Sequence, residues 1–457
     1  MISNSSELAA TGMAEVRALA LRVANAGLIA CDVRRATAET VELTDSGIAF
    51  AGREYGLDPD ARVIVVGSGK ATLAIASTLE ELLGERLEGG AVAVRDGADS
   101  ITLDRVDVLL ADHPLPSERS EAAARRVMEL VDGLGPGDLV IAAFTGGSSA
   151  LTSLPPDGVT QAEKRRLHEL LLGSGAPIVE VNTVRKHVSA VKGGRLAARA
   201  APARLVNLTV SDVAGDVLDA ITDPSVEDTS TAEDAIDILR RRGLWENLPE
   251  SIRAHLATDA AHSPRLEVDP QTVLLVNGAG VCEAMAAEAR AAGVRAYVVS
   301  TELEGEASFV GRQLAELAAA CARESTPVAA PCVLVGCGGE STVTLTTNGS
   351  GGTFGAGGPN QEAAAAAALH LDAGTPISAC FIDTDGSDGG TDAAGAVVDG
   401  LTARRARDAG IDLSAAVAGH QSGEALAGLG DLIVTGPTQT NVNDMFVIAV
   451  GTAEPAS

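Results

Sequence analysis

The sequence predicts an α/β protein of two domains, each a mostly parallel sheet flanked by helices. Three observations carry that prediction. Apolar runs of five or six residues, rich in Val, Ile and Leu, alternate with stretches of helical period, the pattern of strands buried on both faces. Most of these runs end in a Gly-rich turn that leads into a helix, as in layered α/β folds. The length, 457 residues, exceeds what one ordinary core holds.

The elements follow in order. Residues 13–30 (MAEVRALALRVANAGLIA) read as an amphipathic helix. ARVIVVGSG is a strand and turn, and KATLAIASTLEELL the helix after it. AVAVRDG and VDVLLADHPLP are strands, the second followed by the helix SERSEAAARRVMELVDGL. DLVIAAFTGGSSALTS is a strand running into a Gly-Ser turn, and RLVNLTVSDVAGD a strand ending in carboxylates. The stretch 223–262 is polar and helical, holds the one Trp (Trp245), and reads as an interdomain segment. A second series starts at TVLLVNGAG and continues through VRAYVVS, PCVLVGCGGESTV, PISACFIDTDGSDGG and DLIVTGPTQTNVNDMFVIAV. Within it, AGGPNQEAAAAAALHL reads as a loop leading into an Ala-rich helix. The expected domains are therefore 1–262 and 263–457.

Composition excludes several classes. A net charge of −28 argues against nucleic acid or an anionic membrane as partner. No apolar run reaches the roughly 18 residues of a membrane span, and the N-terminus lacks the layout of a signal peptide, so a cytoplasmic protein is expected. Six scattered cysteines form no CxxC pair and read as free and buried. The acidic balance fits a high-salt cytoplasm, although a high-GC genome would also favour Arg over Lys. Small-molecule partners are expected, and a homodimer is left open.

Against thirty arginines stand four lysines, and three of these fall in two motifs: Lys70 in VIVVGSGKAT, Lys186 and Lys192 in NTVRKHVSAVKGGRLA. Lys is a point charge on a flexible stem, suited to one phosphate oxygen. The fourth, Lys164, lies in the charged stretch AEKRRLHEL and reads as solvated surface. Ligands of open α/β sheets bind beyond the carboxyl ends of strands. There Gly67, Ser68, Gly69 and Lys70 stand before a helix N-terminus, which favours an anion. The spacing is not that of a P-loop. Gly146, Gly147, Ser148 and Ser149 make a second turn able to donate hydrogen bonds to phosphate or carboxylate oxygens. Arg185, Lys186, His187 and Lys192, beside Gly193 and Gly194, concentrate positive charge in an acidic chain. Asp212 and Asp216 end a strand and could take a hydroxyl proton or hold Mg2+. Asp385, Asp388 and Asp392 lie in a Gly-rich loop suited to cation or ribose contacts. Glu304, Glu306 and Glu340 stand near strand ends, and Thr435 to Asn443 form a turn dense in polar groups.

Together the words GSGKA, HPLPS, TGGSSAL, NTVRKHVSAVKGGRLA, SDVAGD, ELEGEA, GGEST, GGPNQE, TDGSDGGTDAAGA and TGPTQTNVND resemble the class II glycerate 2-kinases, whose C-terminal part is the MOFRL domain. They run in family order from about residue 63 to 446. The resemblance implies two Rossmann-like α/β domains with the active site in the cleft between them, and ATP-dependent phosphorylation of D-glycerate at its 2-hydroxyl, with Mg2+ or another divalent cation. It implies that Lys70 and Asp212 are catalytic. Lys70 would neutralise phosphate charge and Asp212 would orient or deprotonate the hydroxyl. Lys192 and Arg185 become candidates for the glycerate carboxylate or ATP phosphates. Glu340, Asn360, Asp385, Asp388, Asp392, Thr438 and Asn441 become candidate nucleotide contacts. Many relatives carry arginines where this chain has Ala356 and Pro359, and S-G-P-T where it has Thr222 to Ser225. Three rival readings remain. One is a kinase of a related hydroxy or sugar acid, and another a non-catalytic sensor of an acidic metabolite. The third is an NAD(P)H-dependent hydroxypyruvate reductase, for which G-x-G occurs at Gly67 and Gly278 without completing G-x-G-x-x-G: the last positions are Thr72 and Glu283.

Overall fold

The computed structural model describes residues 1–96, 102–211, 214–221, 223–267, 270–345 and 355–452. The chain forms two compact units. One is Val33–Ser211 with Asp216–Leu275; the other is Met1–Asp32, Asp212–Gly215 and Val276–Ser457.

The first unit is built on a six-stranded sheet in the order Val106–Ala111, Gly89–Arg95, Val63–Ser68, Leu139–Phe144, Arg204–Val210, Gln271–Val276. The first five run parallel. Val63–Ser68 and Leu139–Phe144 sit at the centre and are buried at every position, which is why they read as unbroken apolar runs. Gly67 is required there: a Cβ would lie 2.1 Å from the Ala143 carbonyl oxygen. Ile64, Val66, Val140 and Phe144 pack with Val127 and Met128 of the helix Glu118–Leu130 and with Leu196 of the helix Arg195–Ala200.

The stretch 223–262, expected as an interdomain segment, is part of this unit. Its helices Ala232–Arg241 and Glu250–Leu256 bury Ile238, Leu239, Ile252 and Leu256 against Leu167 and Leu171 of Gln161–Gly173 and Val184 of Ile178–His187. Reciprocal caps at Thr160/Glu163 and Thr231/Asp234 fix two helix starts. Val41–Leu43, Gly47–Phe50 and Arg53–Gly56 form a small antiparallel meander that the sequence reading did not anticipate.

The second unit holds a sheet in the order Arg295–Ser300, Cys332–Cys337, Asp444–Val450, Ile377–Asp383, Gly395–Asp399, Leu432–Ile433. Here the expected parallel arrangement is corrected. Arg295–Ser300 and Cys332–Cys337 run parallel, and every other neighbouring pair is antiparallel. The cause is local: a Gly- and Asp-rich loop, not a helix, joins Ile377–Asp383 to Gly395–Asp399, and a return without a crossover gives antiparallel strands. The helices Ala307–Glu324 and Pro359–His370 bury their alanines against the sheet.

The expected split at 262/263 differs from the observed division in two ways. Gln271–Val276 was read as opening the second series, yet it is the sixth strand of the first sheet. Residues 1–32 belong with the second half of the chain, where the helix Ala14–Ala30 packs on Gly278–Ala291 and Asp444–Val450. No helix among the described residues is long and apolar enough to cross a membrane, and all six cysteines are free and buried.

Candidate active site

Two turns meet at the carboxyl ends of the central strands of the first sheet. Gly69 has φ +133°, and a Cβ there would lie 2.2 Å from Thr145 Oγ1, so only glycine lets the turn close on its neighbour. The Lys70 N–H donates to the Gly146 carbonyl (2.9 Å), the Ala71 N–H to Thr145 Oγ1 (3.2 Å), and the Thr72 hydroxyl to the Ala143 carbonyl (2.9 Å). The helix Thr72–Leu83 starts directly under this turn without a side-chain cap, so its positive end is not spent on a carboxylate of its own. Gly147 has φ +88° and opens the short helix Ser148–Leu151. Lys70 and His113 border Gly147, within 4.0 Å and 3.4 Å of where its Cβ would stand. Lys70 is exposed and His113 half-buried. Burial, then the charges of Lys70 and Arg95, push the His113 imidazole below its ordinary value, so it is neutral at pH 7.

Ser68, expected to contact phosphate, is fully buried and shares a hydrogen bond with Thr152 (2.8 Å). Its hydroxyl holds the two turns together. Ser148 is buried and Ser149 half-buried, with Ser149 on the wall of a small recess described below.

The basic segment is not a solvated face. Lys186 is buried and ion-paired with Asp228 (2.6 Å), whose carboxylate also accepts from the hydroxyls of Ser230 and Ser263 (2.7 Å each). Gly193, with φ +64°, packs beside this cluster, where a Cβ would meet Ser263 Oγ at 2.6 Å. These two residues, expected to bind substrate anion, therefore stand in a closed internal network. Lys192 is buried and paired with Asp223 (2.6 Å). Burial lowers its pKa and Asp223 partly restores it. Burial lowers the Arg185 guanidinium to about 10. Lys164, expected on solvated surface, is half-buried instead: its ammonium donates to the Leu154 carbonyl (2.9 Å) and burial holds its pKa well below the usual lysine value. Asp216 is half-buried at φ +51° in the turn Ala214–Asp216. Asp212 lies outside the described residues.

The nucleotide candidates lie in the second unit. Asp388 is buried on the N-terminus of Pro359–His370, accepting from the backbone N–H groups of Asn360 (3.1 Å) and Gln361 (2.8 Å). Asn360 donates its amide to Asp444 (2.6 Å). This is helix capping, and it accounts for Pro359, which occupies the helix start where no N–H is needed. The Thr438 N–H donates to the Asp385 carbonyl (3.2 Å) and Asn441 Oδ1 accepts from the Asn443 N–H (3.1 Å). Glu340 and Asp392 are exposed. Burial first, then Asp385, pushes Asp383 up to about 8, and burial pushes Asp388 up to about 7. Among the described residues no group of three or more His, Cys, Asp or Glu is placed to hold a metal ion.

Several residues of these sites were not read as functional in the sequence: His113, His168, Asp223 and Asp228 were not singled out, and Lys164 was read as surface. The helix that carries Lys164 held a signal, since Lys164, Leu167, His168 and Leu171 fall on one stripe at i, i+3, i+4 and i+7. Asp223 and Asp228 had none, because their lysine partners lie thirty-one and forty-two residues away.

Comparison with known proteins follows the geometry. Residues 19–257 match the family model described as a domain of unknown function, DUF4147, and residues 332–444 match the MOFRL family. The glycerate 2-kinase of Pyrococcus horikoshii is 39% identical over 96% of this chain and 98% of its own. The D-glycerate 2-kinase of Thermotoga maritima is 39% identical over 84% of this chain and 90% of its own. A putative hydroxypyruvate reductase of Agrobacterium vitis is 43% identical over 86% and 88%. The crystal structure of glycerate kinase from Thermotoga maritima superposes with a TM-score of 0.83 at 36% identity, covering 94% of this chain and 97% of that one. The chain belongs to the glycerate 2-kinase family with a C-terminal MOFRL domain.

Proposed function

We propose that this protein is a glycerate 2-kinase, transferring the γ-phosphoryl group of ATP to the 2-hydroxyl of D-glycerate to give 2-phosphoglycerate. The observation that supports the reading most is the pair of interlocked turns, Gly67–Lys70 and Thr145–Ser148, at adjacent strand ends. Exposed Lys70 stands over them with a helix N-terminus beneath. Phosphoryl transfer needs positioning and charge neutralisation more than covalent chemistry, and this arrangement offers both to an anionic donor. Lys70 supplies the mobile positive charge. His113, neutral at pH 7, offers a hydrogen bond without adding charge. Asp212 is assigned to orient the glycerate hydroxyl and accept its proton.

Asp212 and Asp216 are assigned to a divalent cation that arrives on the nucleotide. Mg2+ on a nucleotide is usually held by one or two carboxylates and the phosphates, not by a protein cage, so two carboxylates would suffice. When bound, the ion would offset phosphate charge.

The name carried by the Agrobacterium vitis relatives favours testing a second reading, reduction of hydroxypyruvate. The second G-x-G supports it poorly. Gly278 packs where a Cβ would lie 2.6 Å from the Cys337 carbonyl, and Asn277 already caps the helix by accepting from the Gly280 N–H (3.0 Å).

Incubation with Mg-ATP and D-glycerate, read by NMR against 2- and 3-phosphoglycerate standards, is expected to give the 2-phosphate. Lys70→Ala is expected to lower kcat by about 10²–10³ with the fold intact, the usual effect of deleting one charge-stabilising group. NADH oxidation by hydroxypyruvate without phosphoglycerate formation would replace the kinase reading, and near-normal turnover in Lys70→Ala would remove Lys70 from its role.

A further inference from the structure

Beside the Gly146–Ser149 turn, within the first unit, lies a recess lined by Pro116, Ser149, Ser153, Lys164, Leu167, His168, Arg185, Val188 and Lys192. Its volume is about 20 Å3, which admits one water-sized oxygen group and is far too small for a triphosphate. Three cations share its wall, and among the described residues one carboxylate, Asp223, offsets them. That carboxylate is bonded to Lys192 at 2.6 Å. Lys164 has the Leu154 carbonyl as its protein hydrogen-bond partner. Arg185 approaches His168 Nε2 at 3.5 Å. Burial, then Arg185, pushes His168 down to about 4, so its ring is neutral and relieves none of the charge as an anion would. Among the described residues no carboxylate is bonded to Lys164 or Arg185, and burial lowers the pKa of both. Enclosed charge of this kind is costly unless a counter-ion completes it.

We propose that this recess receives one oxygen of the substrate's carboxylate, with Lys164 and Arg185 as its cationic ligands and the Ser149 hydroxyl as a further donor. The proposal rests on the kinase reading and names what that reading leaves open, the group by which the acid is recognised. Arg185 presents a planar fork suited to a carboxylate, and Lys164 a point charge beside it. Leu167, Val188 and Pro116 supply apolar walls that keep water from competing. Ser149 follows directly on the turn that Lys70 overhangs. An acid held here presents its 2-carbon beside the phosphate-handling turns. The consequence is specificity: small 2-hydroxycarboxylates bind, and polyols of the same size without the acid group do not, because they would leave Lys164 and Arg185 without a counter-ion.

The scarcity of lysine gives a direct test. With four lysines in the chain, selective ε-13C labelling yields four side-chain signals, and Lys164→Met identifies its own. D-Glycerate is expected to shift the Lys164 signal and raise its pKa toward the ordinary lysine value. Glycerol at the same concentration is expected to leave it in place, and ATP to act on Lys70 instead. By calorimetry, Lys164→Met is expected to weaken D-glycerate binding at least tenfold and leave ATP binding unchanged. A Lys164 signal that answers ATP or inorganic phosphate as strongly as D-glycerate overturns the carboxylate assignment. One that answers none of them makes the recess structural. The wild-type titration decides even if Lys164→Met does not fold. The same samples report product: a Lys164 response to D-glycerate without phosphoglycerate formation sinks the kinase reading and leaves the carboxylate site standing.

Discussion

Lys70, Lys164, Lys186 and Lys192 have the same chemistry and four different surroundings. Lys70 is exposed on a turn, Lys164 faces a recess, and Lys186 and Lys192 are closed into buried pairs. Removing one partner of a buried pair leaves an uncompensated charge, which costs roughly 3–5 kcal/mol. Lys186→Met is therefore expected to lower unfolding stability by about that amount, since Asp228 keeps the Ser230 N–H and hydroxyl, the Ser263 hydroxyl and His187, whose Nε2 lies 3.6 Å away, but loses its lysine. At a temperature where the variant stays folded, its KM for glycerate and for ATP should match wild type. A raised KM with unchanged denaturant midpoint would return Lys186 to the substrate site. The sequence showed that these lysines are unusual. It did not show which of them face ligand, because Asp223 and Asp228 approach only through the fold.

At the scale of elements, the centre of the first sheet was legible because Val63–Ser68 and Leu139–Phe144 are apolar runs closed by a Gly turn that leads into a helix. The second sheet has the same kind of runs, so periodicity alone could not separate parallel from antiparallel neighbours. The connection decided it. The loop between Ile377–Asp383 and Gly395–Asp399 also carries Asp388, a candidate nucleotide contact, which accepts from the N–H groups at a helix N-terminus. These buried acids make a pH prediction. Asp383 stands at about 8 and Asp388 at about 7 in the folded protein, against an ordinary 3.8. Folded, they keep protons that the unfolded chain has lost, so their contribution is present below pH 4 and is lost as pH rises toward 8. Burial raises Asp444 and Glu362 in the same direction. Thermal midpoints of this unit should therefore fall between pH 5.5 and 8.5. Self-repulsion of the acidic chain has the same sign, and Asp383→Asn separates the two. The variant should show a shallower decline, whereas an unchanged slope would mean that Asp383 titrates normally in the folded state.

At the scale of the molecule, the chain's order and its packing disagree, and one side chain shows why. Arg17, on the helix Ala14–Ala30, is fully buried and holds Asp399 and Asp431 (2.8 Å to Asp431), while the Met13 N–H donates to Asp399 (2.9 Å). Arg405 also pairs with Asp431. An amphipathic helix predicts burial of one face; it does not say that the face belongs to a sheet nearly four hundred residues later in sequence. A fragment of residues 276–457 lacks that helix. Asp399 would lose its ionic partner, a loss of roughly 3–5 kcal/mol, and the surface that Val16, Ala20, Leu21, Val23 and Ala24 cover would meet water. Against a typical total of roughly 5–15 kcal/mol for a whole domain, that deficit is decisive. Residues 276–457 alone are expected to show no cooperative thermal transition, and joining residues 1–32 to them through a flexible linker is expected to restore one. Arg17→Met in the linked form should remove most of the gain. A sharp transition in 276–457 alone would show that the N-terminal helix decorates this unit and does not complete its core.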